Sequence, residues 1–262
     1  MYDSIFNEKG EHRLNEIKKT DYNTPILSFF DYGILLSFGE LLSSLGEYEL
    51  AIKCTTRAIN LEPNEAVPYY NLANHYTKIK NYKKAILYYN KAINLNKKDY
   101  PFFYFNRGLT YLDLKDDKSA LMDFFCFSDL APCDADGYSC IGNAYIGLKE
   151  YSAAILYLNK AINLNPKDLI AFLNLGLAYY NTKDYHNAIL NFSKGIELTS
   201  ENSEYYSAYF YRGTSFLSMG NIILGIKDYY KGIKLAPKRI LFNMYDNIKI
   251  SIIRLSILFE NL

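Results

Sequence analysis

The same stretch of sequence recurs along this chain about every thirty-four residues. Tyr69 to Leu95 reads YYNLANHYTKIKNYKKAILYYNKAINL, Tyr138 to Pro166 reads YSCIGNAYIGLKEYSAAILYLNKAINLNP, and Phe172 to Leu198 reads FLNLGLAYYNTKDYHNAILNFSKGIEL. A repeat of this length is one hairpin of two helices, and such a hairpin cannot bury its apolar face alone. Stacked hairpins share a core with their neighbours, so the expected product is an array rather than a globular enzyme core.

The copies can be numbered so that the small residue of the first helix is position 8 and the final proline is position 32. Six copies then begin at Tyr32, Ala66, Pro101, Ala135, Leu169 and Tyr206. Position 8 holds Gly39, Ala73, Gly108, Gly142, Gly176 and Gly213, and position 20 holds Ala51, Ala85, Ala120, Ala154, Ala188 and Gly225. Position 27 holds Ala58, Ala92, Phe127, Ala161, Gly195 and Gly232, and position 32 holds Pro63, Lys97, Pro132, Pro166, Ser200 and Pro237. Small residues at a helix crossing let the backbones approach, and large ones there would overpack it. Glycine inside a helix costs about 1 kcal/mol relative to alanine, so five glycines at position 8 need a packing reason. Larger apolar residues recur at helical spacing around them, as Tyr138, Ile141, Tyr145, Tyr151 and Leu158 do in the fourth copy. Proline stops the second helix of a copy.

This pattern closely resembles the tetratricopeptide repeat. The resemblance implies an all-α, right-handed α-solenoid of about six helix-turn-helix hairpins plus a C-terminal capping helix. The expected organisation is an N-terminal cap or tail over 1–31, six repeats over 32–239 (32–65, 66–100, 101–134, 135–168, 169–205, 206–239), and an apolar helix over 240–262. Within the tail, Thr24-Pro25 suits the cap and first turn of a long opening helix. Three departures stand out. Phe127 is bulky where a small residue is expected, and should alter packing between copies three and four. Extra residues near Tyr100 and around 203–205, together with Lys97 and Ser200 in place of proline, mark two junctions where either the superhelix bends or the preceding helix runs on.

Composition narrows the function. Net charge is +1 with acids and bases mixed, which argues against nucleic-acid binding, where a basic stripe is expected. No run is long and apolar enough to span a bilayer, and the first residues do not read as a secretory signal. The expectation is a cytoplasmic protein with no membrane or nucleic-acid partner. Cys54, Cys126, Cys133 and Cys140 form no CxxC pair, and His12, His75 and His186 are scattered, so no metal or cofactor is expected. No GxSxG, phosphate loop, HExxH or Cys/His dyad is present, so no enzyme activity is expected.

What the resemblance implies is a binding module for a protein or peptide, held in a concave groove lined by the first helices. Groove positions 6 and 9 carry an interrupted asparagine row: Asn71, Asn106 and Asn174, with Asn74 and Asn143. An amide both donates and accepts, so such a row would hold a peptide backbone. Tyr70, Phe102, Phe105, Leu109, Leu173 and Phe210, with Ile170 and Leu177, form an apolar strip in the same register, suited to a partner's side chains. The clamp by which related repeats grip acidic chaperone C-termini needs lysine and arginine. Here the matching positions are Ser139, Asn143, Asn174, Ser207 and Tyr211, so that recognition is not expected. The apolar C-terminal segment, Asn243 to Leu262, is open to three readings: a cap docked on copy six, a surface for homo-oligomer assembly, or an edge where a longer protein continues.

Overall fold

A computed structural model describes residues 31–96, 99–199 and 205–237. They form helices α1 (Tyr32–Ser44), α2 (Tyr48–Leu61), α3 (Ala66–Lys78), α4 (Tyr82–Leu95), α5 (Pro101–Asp113) and α6 (Asp117–Leu130), then α7 (Ala135–Gly147), α8 (Tyr151–Leu164), α9 (Leu169–Asn181), α10 (Tyr185–Leu198), α11 (Tyr206–Ser218) and α12 (Ile222–Leu235). No strand occurs among the described residues. The expected C-terminal helix over 240–262 lies outside them, as does the Thr24-Pro25 start. The long opening helix is nevertheless corrected at its far end. Asp31 is extended (φ −75°, ψ 171°), and its carboxylate caps Ile34 N–H at 2.8 Å, so a helix begins afresh at Tyr32.

A three-residue turn joins the helices of each pair and reverses the chain. All six turns close in the same way. Position 15 is left-handed, as Gly46 (φ 81°), Lys80 (59°), Lys115 (62°), Lys149 (62°), Lys183 (64°) and Gly220 (79°). Its N–H bonds the carbonyl of position 12, and the next N–H bonds position 11, as Lys149 does to Ile146 and Glu150 to Tyr145. This pair of hydrogen bonds satisfies the last carbonyls of each first helix. Asn81, Asp116, Asp184 and Asn221 then cap the second helix through their side chains. The second helices end on Leu61, Leu95, Leu130, Leu164, Leu198 and Leu235. The two copies with Lys97 and Ser200 therefore stop where the others do, and their helices do not run on.

The chain divides into two compact units, one ending at Thr110 and one beginning at Tyr111, so the division falls inside α5. In the first unit α1 packs on α2, α2 on α3 and α3 on α4, and α1 also meets α3. In the second unit each helix from α7 to α12 packs on the one before it, and the first helices of neighbouring pairs, α7 with α9 and α9 with α11, lie side by side.

The small positions explain the core. A Cβ added to Gly176 would lie 2.8 Å from the Phe192 ring, and one on Gly213 would lie 3.0 Å from Tyr229 and 3.1 Å from the Gly225 carbonyl. Position 8 is thus small because the large residue at position 24 and the backbone at position 20 press against it. Tyrosine at position 4 links neighbouring copies. Tyr69 donates to the Pro63 carbonyl at 3.0 Å and Tyr138 to the Pro132 carbonyl at 3.2 Å. Lysine at position 26 covers the same rings: Lys91 over Tyr69, Lys160 over Tyr138 at 3.9 Å, and Lys231 over Tyr209.

Candidate functional site

The first unit holds a cavity of about 530 Å³ lined by residues of α1, α3, α4 and α5. Five of the eleven residues expected to bind a partner meet there: Tyr70, Asn71, Asn74, Asn106 and Leu109. Glu40, Ser43, His75, Thr77, Lys78 and Tyr89 complete the lining.

A hydrogen-bond network sets these side chains. Asn71, only 7% exposed, donates through Nδ2 to Glu40 Oε1 at 2.8 Å. Asn106 donates to the Tyr70 hydroxyl and, at 3.4 Å, to Asn74 Oδ1. Tyr89 donates to that same Asn74 oxygen. Behind them His75 is buried, with Nε2 3.1 Å from Thr55 Oγ1 and Nδ1 3.1 Å from Ser43 Oγ. Burial pushes His75 down to about 4, so it is neutral at neutral pH. Burial likewise pushes the Tyr89 hydroxyl up to about 12 and keeps it protonated.

The asparagine row therefore differs from the expectation. Asn71 is a buried bracket for Glu40, with one of its two amide hydrogens committed to that carboxylate. Asn74 and Asn106 are half-buried and cross-bonded. On α5, Phe102 is 53% exposed and meets half-buried Phe105 edge-on at 6.3 Å. With Leu109 these rings form an apolar margin one and two turns along the same helix.

In the second unit Asn143 is exposed and Asn174 half-buried. Two members of the expected strip pack inward instead: Phe210 is buried, and Leu173 is half-buried against the core. A Cβ on Gly195 would meet Leu173 Cδ2 at 2.5 Å, and one on Gly232 would meet Phe210 Cε1 at 2.8 Å. The glycine at position 27 leaves a hollow, and the side chain at position 5 fills it. Phe210 is accordingly only 9% exposed. Ile170 of the same strip is exposed and Leu177 half-buried.

Sequence reasoning did not single out Glu40, Ser43, Thr77 or Lys78, although all stand in groove register, at positions 9, 12 and 13. His75 had a fainter signal. It occupies position 10, where Thr110, Ala144, Ala178 and Ser215 are also buried.

No three His, Cys, Asp or Glu side chains converge as a metal site would require among the described residues. Burial pushes Cys54 up to about 11 and Cys140 up to about 12, so both stay thiols rather than nucleophilic thiolates. No helix is long and apolar enough to cross a membrane among the described residues.

Comparisons with known proteins give the family. Models of the tetratricopeptide repeat match residues 32–65 and 170–202, and 66–99, and a TPR repeat model matches 142–183. No curated protein matches the chain. Among solved structures, a tetratricopeptide repeat protein from Parabacteroides merdae is 21% identical, covering 84% of this chain and 86% of that one, with a TM-score of 0.70. The part of MamA from residue 41 onward, from Desulfovibrio magneticus, is 23% identical over 64% of this chain and 94% of that one, with a TM-score of 0.60. YrrB, described as a TPR protein with an unusual peptide-binding site, is 22% identical over 74% of this chain and 97% of that one, with a TM-score of 0.58. With paired helices throughout the described residues and repeat models matching 32–99 and 142–202, the chain belongs to the tetratricopeptide repeat family and has the all-α solenoid fold.

Proposed function

We propose that this protein is a non-catalytic interaction module whose first unit holds a peptide or helix of a partner protein. The observation that carries this reading is the cavity of about 530 Å³, where polar side chains converge beside an exposed apolar margin on α5. A ligand site combines these two parts, with apolar area for affinity and a few placed polar groups for orientation. The Glu40–Asn71 bond and the separate chain of bonds through Tyr70, Asn106, Asn74 and Tyr89 are formed before any partner arrives. Little ordering of the protein is then needed on binding.

Affinity capture from an extract of the source cells tests this reading. Wild type is run beside Leu109→Glu, which puts a charge on the apolar margin without filling a core position. A protein captured by wild type and lost by the variant, at unchanged melting temperature, supports the site. Equal capture by both refutes it.

A further inference from the structure

The pocket has a charge preference that its geometry makes specific. Glu40 is the only acid in the lining, and its carboxylate is held at the cavity wall by the buried Asn71 amide. That bond engages Oε1, and no protein donor meets Oε2 among the described residues. Lys78, the one lysine of the lining, is exposed and makes no ion pair with Glu40 among the described residues. Buried His75 is neutral and supplies no compensating charge. Asn106 spends both amide hydrogens on Tyr70 and Asn74, which leaves its carbonyl oxygen as an acceptor facing no protein donor. The half-buried Tyr70 ring stands close by, backed by the buried Tyr89 ring with its centroid 6.0 Å away, and presents aromatic surface. A carboxylate oxygen, an amide oxygen and an aromatic face form a receptor for a cation.

We propose that this pocket takes a lysine or arginine side chain of the bound partner segment, with Glu40 as the residue that reads its charge. The proposal rests on the reading of the first unit as a peptide site. Asn71 acts as a positioning residue, since it fixes the carboxylate without needing to touch the ligand. An acidic or C-terminal carboxylate anchor would meet Glu40 with like charge and is selected against.

Two pentapeptides test it by NMR: acetyl-Ala-Ala-Lys-Ala-Ala-amide, and the same peptide with norleucine, which keeps the stem and removes the charge. The side-chain amide signals of Asn71, Asn74 and Asn106 are followed during titration. The lysine peptide is expected to shift them saturably and to bind at least tenfold more tightly than the norleucine peptide. Glu40→Gln, which keeps an acceptor for Asn71 and so preserves the fold, is expected to abolish that difference. Equal binding of both peptides in wild type overturns the charge preference while leaving the peptide site standing. Failure of both peptides to shift any pocket amide overturns the site as well.

Discussion

Phe127 occupies the space that Gly137 leaves empty. A Cβ added to Gly137 would lie 2.7 Å from Phe127 Cδ1, and Phe127 itself has no exposed surface. The oversized residue at position 27 of the third copy is thus matched by the smallest residue at position 3 of the fourth. Gly137→Ala is expected to cost about 1–3 kcal/mol by overpacking. Phe127→Ala is expected to cost about 3–5 kcal/mol through the cavity it leaves. The double variant should cost less than the two together, because alanine at 137 then enters the vacated space. Urea denaturation of the three variants measures this coupling. Additive losses would show that the two residues do not share that space.

Arg212 forms a two-pronged pair with Asp228, Nε to Oδ2 at 2.6 Å and Nη2 to Oδ1 at 2.7 Å, and its third nitrogen reaches Ser193 Oγ at 3.0 Å. Both partners are largely buried, at 17% and 9% side-chain exposure. Removing one leaves a desolvated charge, so Asp228→Ala is expected to cost about 3–5 kcal/mol. Replacing both by leucine should cost much less, since no orphan charge remains. Chemical unfolding of the single and double variants decides between these outcomes.

The turn lysines carry backbone strain. Lys149 sits at φ 62° in the position that Gly46 and Gly220 fill in the terminal copies. The left-handed conformation costs a non-glycine residue about 1–2 kcal/mol, part of which glycine returns through its larger unfolded-state entropy. Lys149→Gly is therefore expected to raise stability by about 0.5–1 kcal/mol, read as a higher melting temperature. A fall would show that the lysine side chain contributes more than the strain.

His75 makes stability depend on acid. Its folded value is about 4, below the ordinary 6.5, so the unfolded chain binds the proton more readily. The stabilisation is complete above pH 6.5 and is lost as pH falls toward 4, by an amount on the order of 3 kcal/mol. Comparing unfolding free energies at pH 7 and pH 4.5 for wild type and His75→Gln checks this. The variant should lack the part of the slope that belongs to His75.

The fold was legible because its signals are repeated and local. Gly176 and Gly213 report a close crossing whatever surrounds them, and Pro63, Pro132 and Pro166 stand just past the ends of second helices. The site was legible only in part. Register placed Tyr70, Asn71, Asn74, Asn106 and Leu109 on one face, and they do line one cavity. Register could not show that Asn71 is buried and donates to Glu40, thirty-one residues away, since that depends on a contact between copies. Nor could it show that Leu173 and Phe210 turn inward, which follows from glycine at Gly195 and Gly232 rather than from their own positions. Periodicity assigns a face, and the partner across the hairpin decides whether that face stays open.

A partner seated on the α5 side of the first unit is detected by photo-cross-linking from single positions. Benzoylphenylalanine replaces Leu109 at the pocket margin in one sample. In another it replaces Leu156, which is 66% exposed on the outer face of α8, between buried Ala154 and Leu158. After irradiation in an extract of the source cells, a discrete cross-linked protein is expected from position 109 and none from position 156. A cross-link from position 156 alone, or none from position 109, would contradict it.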